Sequence, residues 1–173
     1  MQAILLYLCR LCLLRESPAR IPPSLSLAAF TTGLYFLTGM ASFALSRDSL
    51  AFSTIVGVSF LSLSIESAGL YGLLYFKSYQ HRFLASLIAI FSCNSMFLIA
   101  LLPVNYLLST LDTGLAADFV NTLSLLSLFW WLAIVGFILR QAAEISIFQG
   151  IVLAFVIELL VAISIRSLFS EFS

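Results

Sequence analysis

Three polar side chains set in long apolar runs are the residues best placed to do chemistry. They are Glu66 in "SLSIESAGLYGLLYF", Asn94 in "FSCNSMF" and Glu158 in "FVIELLV". An acidic residue at the centre of a membrane helix costs about +2.5 to +3.5 kcal/mol, against about −0.3 to −0.6 kcal/mol for each Leu, Ile, Phe or Val. Long apolar flanks offset one such group per helix, yet lipid contact is still avoided, so both glutamates are expected to face a protein interior. Two carboxyls brought together there would share a proton and form a protonatable or ion-binding site. The competing role is structural: Glu66 hydrogen-bonds Asn94 or a backbone carbonyl and locks helix packing. No basic residue lies at that depth to pair with either acid.

Composition dictates the elements that must position these groups. The 173-residue chain is 62% hydrophobic and 9% charged, whereas soluble domains are about 45–50% apolar and about 25% charged. An all-α integral membrane fold is therefore expected. A bilayer core of about 30 Å requires roughly 20 apolar helical residues, and five runs satisfy this, at 24–46, 49–76, 83–109, 119–139 and 145–165. They are continuous rather than alternating, and an open sheet edge cannot be satisfied in lipid. Ahead of them, residues 2–15 are too short to span and are interrupted by Arg10. They suit an amphipathic helix in the interface. Pro18, Pro22 and Pro23 stop that helix, and Ser24 is the expected N-cap of the first span. Short connections leave a single membrane domain.

Lys and Arg set orientation. Arg10, Arg15, Arg20, Lys77, Arg82 and Arg140 fall on one side and only Arg47 and Arg166 on the other. The expectation is a bacterial inner-membrane protein with a cytoplasmic, retained N-terminus and an exterior C-terminus. With a rise of 1.5 Å per residue, Glu66 then lies about 15 Å, Asn94 about 17 Å and Glu158 about 20 Å from the inner surface. Thr38 and Ser127 fall in the same zone, so each span contributes one member of a mid-membrane polar layer. Ser59, Ser62 and Gly69 share a helix face with Glu66, and small residues permit close helix contact.

The remaining candidates are weaker. Cys9, Cys12 and Cys93 make no disulfide framework, and four zinc ligands cannot be assembled from them and His81. A single histidine also excludes a haem held between two. No cofactor or metal is expected. Lys77, His81 and Arg82 suit anionic lipid head groups. Trp130 and Trp131, about nine residues from the inner end of the fourth span, lie deeper than an aromatic belt. They are expected at a helix contact, within the chain or with another subunit. Asp112 and Asp118 read as solvated loop residues. Hydrolase, zincin and nucleotide-binding motifs are missing, and the scattered basic residues exclude nucleic acid as a partner.

The proline-marked segment "SPARIPPSLSLAAFTTGLYFL", followed by five tight spans ending outside, resembles the bacterial members of the Yip-type five-span membrane family. That resemblance implies the fold. The Asp-Leu-Tyr-Gly-Pro motif of eukaryotic members is missing before the first span, and "GLYGLL" at Gly69 to Leu74 lies within a helix. Binding of small GTPases is therefore not implied. The expected function is a non-enzymatic scaffold or accessory subunit, in contact with lipid and with a protein partner or a second copy of itself. A small proton-coupled carrier using Glu66 and Glu158 is the alternative.

Overall fold

A computed structural model describes residues 10–12, 14, 21–46, 51–110 and 114–169. Five helices run in sequence: α1 Leu25–Ser46, α2 Phe52–Phe76, α3 Phe83–Thr110, α4 Leu115–Ala143 and α5 Ile147–Leu168. A short 3-10 turn, Gln80–Arg82, precedes α3. The described residues contain no strand, and all five helices are long and apolar enough to cross a membrane.

Helix α4 extends four residues beyond the expected span at each end. Asp118 lies in its first turn and Arg140 in its last, where each complements the helix dipole. Asp118 is thus helical rather than a loop residue. Gly114 at φ 109° begins this helix and Glu144 in the left-handed region ends it. Helix α5 then starts at a capping box between Ser146 and Gln149. At Ser24 the carbonyl accepts from Ala28 N–H, but the hydroxyl pairs with Ser26 rather than capping α1. Helix α3 continues through Pro103.

The five helices pack in a ring whose order is α1, α3, α4, α5, α2. Short connections make sequence neighbours antiparallel. A closed ring of five alternating helices must contain one parallel pair, and it is α1 with α3, the most extensive contact in the bundle. Two contacts fix its direction: Tyr35 stacks on Phe91 at 4.9 Å, and further along Asn105 donates to Ser42 Oγ at 2.8 Å.

Packing differs between the two ends. Toward the end bearing Lys77 and Arg140, here the basic end, Leu70, Leu74, Ile88, Ile138 and Leu139 form a close core. Toward the opposite end the buried cluster is smaller, Val58, Val161 and Ile165 with Phe43 and Phe169 packed around them, and Ile55, Ala117 and Val120 are buried outside it. Of residues 2–15, most lie outside the described residues, as do Arg15, Pro18 and Arg20. Arg10–Cys12 form a helical turn in which Leu11 is fully buried and the Cys12 thiol meets Cys93. Leu11 thus packs this turn against the bundle while Arg10 is exposed.

The tightest crossing is between α4 and α5. A Cβ on Gly136 would stand 2.8 Å from Ile151 N, and one on Gly150 would strike the Gly136 carbonyl. Gly72, also helical, has open space around it. Gly150→Ala should therefore destabilise the fold by about 1–3 kcal/mol through overpacking. Gly72→Ala should stabilise it by about 0.5–1 kcal/mol by reducing unfolded-chain freedom. Thermal unfolding of the two variants in the same detergent should shift the midpoint in opposite directions.

Candidate functional site

Each helix delivers one large polar side chain to the middle of the bundle. Tyr35 lies ten residues into α1, Asn94 eleven into α3 and Glu158 eleven into α5. Glu66 lies ten residues before the end of α2 and Trp131 twelve before the end of α4. At 1.5 Å per residue all five stand about 15–18 Å from the basic end. The longer α4 is what carries Trp131 to this depth, past the expected nine residues.

Four of the five are joined by hydrogen bonds. Tyr35 Oη donates to Glu66 Oε1 at 2.5 Å, and Asn94 Nδ2 donates to Glu66 Oε2 at 3.2 Å. Trp131 Nε1 donates to Asn94 Oδ1 at 2.9 Å. The indole is a donor only, so its partner must be the amide oxygen of Asn94, and the amide nitrogen is left facing the carboxyl. The Tyr35 ring is held in place by its stack on buried Phe91. Asn94 itself is 2% exposed. Glu158 differs from Glu66: it makes no hydrogen bond to any described residue, and it faces the same cavity.

That cavity has a volume of about 630 Å³. Its floor is Tyr35, Glu66, Asn94, Trp131 and Glu158, and from there it extends away from the basic end as far as exposed Arg166. The walls carry Phe36, Phe43, Phe97 and Leu98 together with Ser59, Ser62 and Ser127. Ser59 is 5% exposed, and its Oγ is the one buried side-chain oxygen or nitrogen among the described residues without a hydrogen-bond partner. Below the floor a pocket of about 20 Å³ touches Glu66, Asn94, Trp131 and Glu158 and is otherwise apolar. A single water needs about 10–15 Å³.

The expected polar layer is thus brought together in part. Glu66, Asn94 and Glu158 share the floor. Ser127 lines the wall, but its hydroxyl donates to the Ser124 carbonyl. Thr38 is buried and donates to the Leu34 and Tyr35 carbonyls of its own helix, away from the cavity. Tyr35 and Trp131 take the places expected for Thr38 and Ser127. Among the described residues no three His, Cys, Asp or Glu side chains cluster as metal ligands.

The basic end is latched. Glu144 Oε1 accepts from Arg82 Nη2 at 2.8 Å, and Glu144 Oε2 accepts from Tyr79 Oη at 2.7 Å. The Arg82 guanidinium stacks 4.5 Å above the Tyr79 ring and also reaches the Gln141 and Ala142 carbonyls at the end of α4. Arg82, expected at lipid head groups, is therefore turned to protein. Lys77 and His81 remain exposed beside it.

No protein-family model matches this sequence, and no curated protein or solved structure shows significant similarity to it.

The hydrogen bonds from Tyr79 and Arg82 hold the Glu144 carboxyl below its usual value of 4.5. A depressed carboxylate contributes stability that is present above its unfolded pKa and is lost as pH falls through the folded one. Thermal midpoints should therefore decline as the pH drops below 4.5, and Glu144→Gln should lower the midpoint at neutral pH while flattening that decline. An acid limb of undiminished steepness in the variant would place its origin elsewhere.

Proposed function

We propose that the chain is a small carrier of the bacterial inner membrane, oriented with its N-terminus in the cytoplasm, which moves a solute through the bundle in exchange for protons. The cavity carries this reading. It ends at mid-depth on two carboxyls, is lined to an exposed rim at one end, and is separated from the other end by a close core and the Arg82–Glu144 latch. A volume of about 630 Å³ falls within the usual range of about 300–1,000 Å³ for small-molecule sites. A scaffold or accessory subunit needs neither the cavity nor a second intramembrane carboxyl.

Chemistry divides the two acids. Both oxygens of Glu66 are engaged by donors from other helices, so it anchors the floor. Glu158 is free to meet an incoming group. With no basic side chain among the floor residues, two negative charges are not held there in low dielectric: Glu158 carries a proton when the site is empty and releases it to solvent as it pairs with an arriving cation. Release toward the basic end then requires the latch to open and the core beneath Glu66 to part, a rearrangement of packed helices around a fixed site.

The test separates anchor from exchanger. In vesicles containing a pH dye, solute-driven proton movement should fall to background with Glu158→Gln while the amount and thermal midpoint of folded protein stay unchanged. Glu66→Ala should lose folded protein as well, because the Tyr35 and Asn94 donors it strands cost about 1–3 kcal/mol each. Coupled flux surviving in Glu158→Gln would remove Glu158 as the exchanging group, and no coupled flux from the unaltered chain would sink the carrier reading. A partner protein that co-purifies in fixed ratio, with no flux from the chain alone, would favour the accessory-subunit role.

A further inference from the structure

The walls and rim of the cavity narrow the class of solute. We infer that the site takes a monovalent organic cation: one ammonium group on a compact apolar or aromatic body. This rests on the carrier reading and specifies its substrate.

The floor excludes anions, since Glu66 and Glu158 both face it. A divalent or transition metal ion is disfavoured by ligand count. The two acids are joined by no third carboxylate, cysteine or histidine of the described residues, too few ligands for a divalent or transition metal. An ammonium group fits what is unsatisfied. Its N–H donors have the Glu158 carboxylate, which lines the cavity and accepts from no described residue. Charge-assisted bonds of this kind are the strong ones. The aromatic walls suit both an apolar body and a cation lying over a ring face.

Arg166 sets the valence. It lies eight residues beyond Glu158 on α5 and lines the rim of the same cavity. Along the helix axis that is about 12 Å. A diamine long enough to fill the cavity would place its second ammonium beside the guanidinium. A monocation with an apolar tail leaves Arg166 in solvent.

Binding can be followed without transport. The chain contains two tryptophans, and Trp130 is 46% exposed on the outer side of α4, so Trp130→Phe leaves Trp131 as the only indole, in the cavity floor. Phenethylammonium should quench its emission saturably in detergent-solubilised protein, with release of a proton measurable in weak buffer. Phenylacetate and 2-phenylethanol should give no saturable signal, and 1,8-diaminooctane should bind about tenfold more weakly or worse than phenethylammonium. Glu158→Gln should weaken phenethylammonium binding by at least about thirtyfold. Arg166→Gln should leave the monocation unchanged and bring the diamine closer to it.

Equal binding of the neutral alcohol or the anion would overturn the assignment. So would Arg166→Gln weakening the ammonium as much as Glu158→Gln, which would mark a zwitterion. Ammonium binding without coupled flux in vesicles would support the ligand class and remove the carrier. Coupled flux of another solute with no ammonium binding would do the reverse.

Discussion

The Glu66 carboxyl is the group on which the arrangement of helices depends. In an apolar interior an acceptor of this kind cannot be left unmet, and a donor stranded near it costs as much again. Tyr35 from α1 and Asn94 from α3 reach its two oxygens, and Trp131 from α4 completes Asn94. Four helices are thus tied through one side chain of α2. Apolar surface alone could not do this, because lipid is as apolar as leucine and gives no preference for one rotation of a helix over another. The hydrogen bonds set the rotations. The ring order follows, including the parallel pairing of α1 with α3 that brings Tyr35 and Asn94 to the same carboxyl.

The glycine crossing of α4 and α5 complements this network. Where Gly136 meets Gly150 the two backbones touch near the basic end, so the helices converge there and leave room at the other. The Arg82 latch holds the same end by joining the turn before α3 to the end of α4. The resulting asymmetry, close at one end and hollow at the other, is produced by two small residues and one ion pair rather than by the long apolar faces.

Much of this was legible in the sequence, and the illegible part has physical causes. Glu66, Asn94 and Glu158 stood out because ionisable and amide groups are costly in lipid, and counting residues placed them at one depth. Tyr35 and Trp131 do not stand out in the sequence because a large ring with one donor looks apolar in any hydropathy pattern; depth and the need for donors opposite an acid are the only signals. Thr38 and Ser127 misled for the opposite reason. A helical hydroxyl satisfies itself on the carbonyl three or four residues back, so its depth says little about its partner. The ends of α4 were missed because charges that suit a helix terminus were counted as the end of the apolar run. The ring order could not be read at all, since each helix is apolar on every side.

The same accounting explains why the two glutamates are not equivalent. If both were structural, each would be expected to meet donors, since an acceptor left without them in apolar surroundings is the costly case. Glu66 meets two; Glu158 meets none among the described residues and is left to a space much larger than a water molecule. A helix bundle selected only for stability would replace Glu158 with Leu or Ile, at a gain of several kcal/mol on the membrane scale. Its place opposite an anchored carboxyl, at the floor of a cavity, is a cost that no described donor offsets. Helix α3 passes through Pro103 unbroken, and the polar groups at the cavity floor are side chains rather than unwound backbone.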